Sequence, residues 1–273
     1  VIERRRLNRV AVIRLAAPAT TAVPPMSDWP SDLLEVVGQD CYLLHGGLEF
    51  DGREISALDE NEIREAARDI RAKGIGAIAL TSVFSPLDGY METRAAAILQ
   101  NELPEATITL SHRIGRIGLL ERENAAILNG ALTSLADRVL GAFDRAILDL
   151  GLKAPLFISQ NDGTLMTAAH AARYPVLTFA SGPTNSIRGA AILSGLDDAL
   201  VVDIGGTTTD IGLLLGGFPR EAAMTVEVGG VRTNFRMPDL LAVGLGGGSL
   251  VRDSGDSIGP DSVGFELERR ALV

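Results

Sequence analysis

Residues 200–215 constrain this chain more than any other stretch. An apolar run of Leu200, Val201 and Val202 closes on Asp203; Ile204, Gly205, Gly206, Thr207, Thr208 and Thr209 follow, and a second apolar run leaves from Asp210. Two β-forming runs around a glycine pair predict a hairpin whose tip gathers amides and hydroxyls between two carboxylates. Gly205 and Gly206 let backbone N–H groups approach an anion with no Cβ in the way, and Thr207, Thr208 and Thr209 add hydroxyl donors. Asp203 and Asp210 are suited to orienting Mg²⁺ or a water. An ordinary hairpin with a Gly-Gly turn requires neither the flanking Asp pair nor three successive threonines, so the pattern reads as a phosphate and metal site.

Strands and helices alternate around this hairpin. A strand over 9–15 is followed by an irregular connection over 18–30 that holds Pro18, Pro24, Pro25 and Pro30. Asp59 and Glu62 form a capping box ahead of Ile63, Ala66, Ala67 and Ile70 at helical spacing, with a stop at Gly74. The pattern then predicts a strand over 75–84, apolar enough to be buried on both faces, a helix over 91–103 and a strand over 106–110. A long helix over 119–150, with Ile127, Leu132, Val139, Phe143 and Leu150 on one stripe and Gly151 at its end, is expected to bridge lobes or to wall one off. Beyond it come a strand over 155–159, a helix near 165–172, a strand over 176–180, a helix over 187–195, and strands near Val226 and Leu241. Such alternation means an α/β fold with mostly parallel pairing, to which the hairpin adds antiparallel strands.

The 273 residues suffice for one large core or two modest ones, and 46% hydrophobic residues with 22% charged is globular composition. A net charge of -10 argues against nucleic acid as a partner. Cys41 is the only cysteine, which excludes an internal disulfide and makes a reducing, cytoplasmic setting the default. Arg14 interrupts the first apolar stretch after Val10, Ala11, Val12 and Ile13, so no signal peptide is read there. No apolar run approaches the ~18 residues of a membrane span. The start without Met and the end just after a charged stretch read as an excised piece of a longer protein.

Three further turns carry polar chemistry. Residues 244–249, with Gly246, Gly247, Gly248 and Ser249, follow an apolar strand and are either a nucleotide-approach loop or a packing turn; in company with the hairpin tip they are expected to open on the same sheet edge. Ser181 to Ser186, including Asn185, can cap a helix or present its N-terminus to an anion. Gln160 to Thr164 offers Asn161 and Asp162, the latter as a base or metal contact or as plain turn chemistry. His45, His112 and His170 are too scattered for a metal triad, and nucleophile-elbow, P-loop and dinucleotide motifs are missing. Arg4 to Arg6 reads as a solvated charge run.

With its neighbours, the hairpin resembles the second phosphate motif of the actin-like ATPase superfamily. Ser82-Val-Phe-Ser-Pro86, the stretch from Leu119 to Asn129, the Gln160 turn, Ser181-Gly-Pro183, the hairpin, Val228-Gly-Gly-Val-Arg232 and Gly246-Gly-Gly-Ser249 occur in the order and spacing of the hydantoinase/oxoprolinase family, the HyuA type. The resemblance covers essentially the whole chain. It implies an actin-like, ribonuclease H-like α/β fold with mixed sheets flanked by helices, divided into an N-terminal lobe over 1–117 and a second lobe over 118–273. It also implies ATP-dependent opening of a cyclic amide such as 5-oxoproline or a hydantoin, with ATP phosphorylating the amide oxygen. Carried over by position, Gly205, Gly206, Thr207 and Thr208 would hold phosphates, Asp203 and Asp210 would act in catalysis and on Mg²⁺, and Gly246 to Ser249 would line the nucleotide. Asn161, Asp162, Ser181 and Asn185 would meet the substrate, and a second subunit of HyuB type would be the partner. The chain departs from the family pattern at Gln160 to Gly163 and at Thr184 and Asn185, and it lacks the family's earlier Asp-x-Gly-Gly-Thr motif. These residues alone are therefore expected to lack turnover. Within the same resemblance, an acetone-carboxylase-type subunit is the alternative; a non-catalytic nucleotide-binding protein is the alternative of another class.

Overall fold

A computed structural model describes residues 4–222, 225–252 and 255–270, so both chain ends lie outside the described residues. In chain order the first elements are β1 (Val10–Ala17), α1 (Ser31–Val37), β2 (Asp40–His45), α2 (Glu60–Ala72), β3 (Ala77–Ser82), α3 (Tyr90–Glu102) and β4 (Thr107–Leu110). Then come α4 (Leu119–Asp149), β5 (Phe157–Ser159), β6 (Leu165–Thr167), α5 (Ala168–Arg173), α6 (Ser181–Ser194), β7 (Ala199–Ile204), β8 (Thr209–Leu215) and β9 (Phe218–Pro219). The last are β10 (Val226–Val228), β11 (Val231–Thr233), β12 (Leu240–Val243), β13 (Ser249–Arg252), β14 (Ser257–Ser262) and α7 (Leu267–Arg270). The chain divides into two compact units.

The first unit comprises the described residues of 1–158, 166–177 and 224–235. Its sheet has the order β2-β1-β3-β4, parallel throughout. Helices cover both faces, which is why β1 and β3 read as near-continuous apolar runs. Ala11, Ile13 and Leu15 of β1 pack with Ile63 and Ile70 of α2 and Ile98 and Leu99 of α3. The alternate residues face α4, where a Cβ on Gly130 would lie 3.5 Å from Val10. Arg14 shares that face and is fully buried because Glu123 of α4 meets it with two bonds, at 2.8 and 2.5 Å. Its third nitrogen donates to the Val23 carbonyl at 2.6 Å.

The capping box at α2 is half formed. Asp59 accepts from the amides of Asn61 (2.8 Å) and Glu62 (3.3 Å), whereas the Glu62 carboxylate turns to the backbone N–H and Nδ1 of His45. Burial along α4 is confined to its first half, residues 122–133, and to Leu140, which packs with Met166 and Ala171. Val139, Phe143 and Leu148 are exposed, and the whole helix lies within this unit.

The second unit comprises the described residues of 159–165, 178–223 and 236–273. Its main sheet is antiparallel, β12-β8-β7, with β9 also on β8; β13 and β14 form a separate ribbon. Ile187 and Ala191 of α6 pack with Leu214, Ala199, Val201 and Leu240 on one sheet face. The other face presents Leu200 (65% exposed), Ile204 (69%) and Leu241 (61%) to solvent.

Two expectations change here. Residues 176–180 form no strand: Pro175–Thr178 is a 3-10 turn, and α6 opens at Ser181 rather than near 187. The cause is Pro183, which sits in the first turn, where a missing N–H leaves no helical bond unmade, so Ser181-Gly-Pro183 is helix rather than loop. Likewise residues 165–167 are strand, and α5 starts only after Thr167, whose hydroxyl caps the His170 amide at 3.2 Å.

Candidate functional site

The β7–β8 register places Asp203 opposite Asp210, Val201 opposite Gly212 and Ala199 opposite Leu214. Directly opposed residues share a face, so both carboxylates project on the face that α6 covers. Gly212 lets the Ile187 and Leu240 side chains lie close against the sheet, where a Cβ would displace their tips. The short 195–198 link returns α6 to the start of β7, so the helix runs antiparallel to that strand. Its N-terminal turn, with Ser181, therefore lies towards the hairpin tip. Ala180 precedes it in the left-handed region (φ 55°), and no side chain caps the helix.

At the tip, Gly205 N–H donates to the Thr208 carbonyl at 2.9 Å, closing the turn. The Gly205 carbonyl accepts from Gly247 N–H at 2.9 Å, and the Gly206 carbonyl accepts from Gly248 N–H at 2.7 Å and the Ser262 hydroxyl at 3.3 Å. In a planar trans peptide the N–H points opposite to the C=O. With both carbonyls turned to the 246–248 loop, the amides of Gly206 and Thr207 are turned away from it. Among the described residues no acceptor bonds to these two amides, and residues 204–208 are exposed. Successive outward amides make an anion-binding concavity, and the exposed Thr207 and Thr208 hydroxyls lie on the same turn.

The 244–249 loop stands closer to the tip than its sequence suggests. Val243 pairs with Thr209, so both glycine turns leave the same end of the sheet, as expected. The two turns are also bonded directly to each other. A Cβ on Gly246 would lie 2.6 Å from the Gly205 oxygen and 2.7 Å from the Thr207 nitrogen, and one on Gly248 would lie 2.9 Å from the Gly206 oxygen. Close backbone packing thus accounts for Gly246 and Gly248. The Ser249 hydroxyl accepts from Gly246 N–H at 2.8 Å, and the Thr209 hydroxyl donates to the Leu245 carbonyl at 2.6 Å. Thr209, expected as a hydroxyl donor to an anion, and Ser249, expected to line the nucleotide, thus have their hydroxyls committed to internal bonds.

The four substrate candidates separate. Asn161 is buried, its amide donating to the Arg236 carbonyl at 2.5 Å and its own carbonyl accepting from the Thr184 hydroxyl at 3.2 Å. Asp162 accepts from the Thr164 amide (2.9 Å) and hydroxyl (2.7 Å), an Asx turn. Asn185 donates to the Ser159 hydroxyl at 3.0 Å. Ser181 is the one carried to the tip end by α6.

Desolvation, and then the charge of Asp203, hold the Asp210 carboxyl above its ordinary 3.8. A raised folded value means that the stability tied to this group is present below pH 3.8 and lost as pH rises through that folded value. Asp210→Asn is therefore expected to stabilise the fold against urea at pH 7, with the advantage shrinking towards pH 4, about the ordinary carboxyl range. A pH-independent difference would contradict this origin. The same repulsion suits a divalent cation: Mg²⁺ takes one or two carboxylates and completes its shell with phosphate oxygens and water. Among the described residues no three His, Cys, Asp or Glu side chains converge as a metal set, so this pair would be their contribution to the site. No described helix is long and apolar enough to cross a membrane.

Comparison with known proteins gives two family matches, Hydantoinase/oxoprolinase over residues 122–270 and Hydantoinase/oxoprolinase N-terminal region over residues 1–103. Caprolactamase subunit alpha of Pseudomonas jessenii is 28% identical over 229 residues, covering 80% of this chain and 32% of the relative. The acetophenone carboxylase gamma subunit of Aromatoleum aromaticum is 26% identical, covering 80% of this chain and 31% of the relative. The chain thus spans about a third of the length of the curated relatives it matches. The crystal structure of ATP-dependent caprolactamase from Pseudomonas jessenii superposes with a TM-score of 0.74 at 23% identity, covering 96% of this chain and 40% of that one. That likeness shows the fold, a mixed α/β arrangement shared with that structure.

Proposed function

Because the chain belongs to the hydantoinase/oxoprolinase family, we propose that its full-length protein is an ATP-dependent hydrolase that opens a cyclic amide, of the lactam, 5-oxoproline or hydantoin type. The observation that carries this reading is the pair of outward amides at Gly206 and Thr207 beside the opposed Asp203 and Asp210. The amides and the Thr207 and Thr208 hydroxyls would receive phosphate oxygens, and the two carboxylates would hold Mg²⁺, which when bound would neutralise phosphate charge. Asp203 and Asp210 would also orient the attacking oxygen. Transfer of a phosphoryl group to the amide oxygen would turn a poor electrophile into one that water can open. The caprolactamase relative supports a lactam-like substrate, and its designation as a subunit supports a partner chain. A partner of HyuB type and a cytoplasmic setting complete the proposal. Residues 1–273 alone would lack turnover, because a phosphoryl clamp needs donors from both sides.

The test is ADP release by the full-length protein, with its partner chain, against caprolactam, 5-oxoproline and hydantoin. ADP and phosphate are expected in step with the ring-opened product, an amino acid from the lactam or 5-oxoproline and an N-carbamoyl amino acid from hydantoin. Release only with a ketone and bicarbonate would instead favour a carboxylase, the reading supported by the acetophenone carboxylase relative. ATP binding without turnover on either class would leave a nucleotide-binding protein.

A further inference from the structure

We infer that the 244–249 loop serves phosphate recognition indirectly, as a clamp that turns the tip carbonyls inward and the tip amides outward, and that Thr209 is the positioning residue that fixes it. The inference rests on the proposed phosphate site but adds a residue and a function to it. In an unrestrained Gly-Gly turn the peptides of 205–206 and 206–207 rotate freely, because glycine tolerates both signs of φ. A carbonyl facing an incoming phosphate would repel it; an amide would attract it. Two bonds decide the orientation here: Gly247 N–H to the Gly205 carbonyl and Gly248 N–H to the Gly206 carbonyl, at 2.9 and 2.7 Å.

Three struts hold the clamp itself. Thr209 donates its hydroxyl to the Leu245 carbonyl at 2.6 Å, tying the hairpin's own return strand to the loop's first turn. Ser249 receives Gly246 N–H at 2.8 Å, and Val263 N–H donates to the Gly248 carbonyl at 2.8 Å from beyond β14. Because Gly246 lies flat on the 205–207 backbone, any displacement of the loop is passed to the tip. Thr209 therefore does not contact phosphate in this scheme: its hydroxyl is committed to Leu245, and it acts through the two carbonyl bonds. Ser249 and Gly246 to Gly248 act in the same indirect way.

The decisive comparison is Thr209→Val, which removes the hydroxyl and keeps the branched shape, against Thr209→Ser, which keeps the hydroxyl, both in the full-length protein. The Val variant should raise KM for ATP about fivefold, the size of one neutral hydrogen bond, with kcat changed less than about twofold. The Ser variant should stay near wild type. Independently of ATP, amide exchange at Gly247 and Gly248 should be slow in the wild type and about tenfold faster in Thr209→Val, as a locally opened bond allows. Gly246→Ala, which forces a methyl against the tip backbone, should reproduce the KM effect and serves if the Val variant folds poorly. Wild-type KM and exchange in the Val variant, or a Ser variant no better than Val, would overturn the clamp. A wild type that neither binds nor hydrolyses ATP would instead defeat the phosphate reading, and the exchange data would still decide whether the loop holds the tip.

Discussion

Asp203→Asn in the full-length protein is expected to lower kcat by about two orders of magnitude, equivalent to about 3 kcal/mol of transition-state stabilisation, with little loss of folding stability. The substitution keeps size and shape, and removes one charge from a cross-strand pair of like charges. Opposed like charges destabilise a sheet, so the fold gains what the repulsion with Asp210 costs it. Chemistry loses more, because the remaining carboxylate would have to position both the cation and the attacking oxygen. Steady-state ADP release and a thermal melt separate the two effects. Wild-type kcat in a folded Asp203→Asn protein would reduce Asp203 to a hairpin residue and remove the basis for a metal at the pair.

The hairpin was readable from sequence because its chemistry is local: two carboxylates, two glycines and three threonines within eight residues of one another fix what the tip can hold. What the tip needs in order to hold it was not readable. The clamp brings Gly246 against Gly205, and no spacing rule distinguishes a glycine that admits a ligand from one that admits another backbone. The same limit explains Asn161, whose amide is committed to the Arg236 carbonyl far along the chain. Local signals also failed where an element lacked them. α1 starts after Pro30 with no side-chain cap, and α6 begins around Pro183, inside a stretch whose small polar residues resemble a turn. β2, an edge strand with only Leu44 buried, carries too weak an apolar pattern to stand out from a loop. Conversely, Asp59 announced α2 because a cap acts within one turn.

Arg14 shows the limit most sharply, and it yields the largest stability prediction. In sequence it is a lone charge inside an apolar strand; in the fold it is fully buried against Glu123. Burial pushes the Glu123 carboxyl up more than Arg14 pulls it down, so the net shift is upward. Glu123→Leu should cost about 3–5 kcal/mol in urea unfolding, because it strands a guanidinium that cannot shed its proton. Arg14→Met should cost less, because the abandoned carboxyl can protonate, and this variant should regain stability as pH falls through the raised Glu123 value. The double variant should recover most of the loss, since well-packed apolar pairs commonly match buried ion pairs. It should fall short by about 1 kcal/mol, because the Val23 carbonyl loses the 2.6 Å bond from Arg14. Strictly additive single losses in the double variant would show that the two charges do not stabilise each other. In that case Arg14 would owe its buried place to Val23 and to packing, not to Glu123.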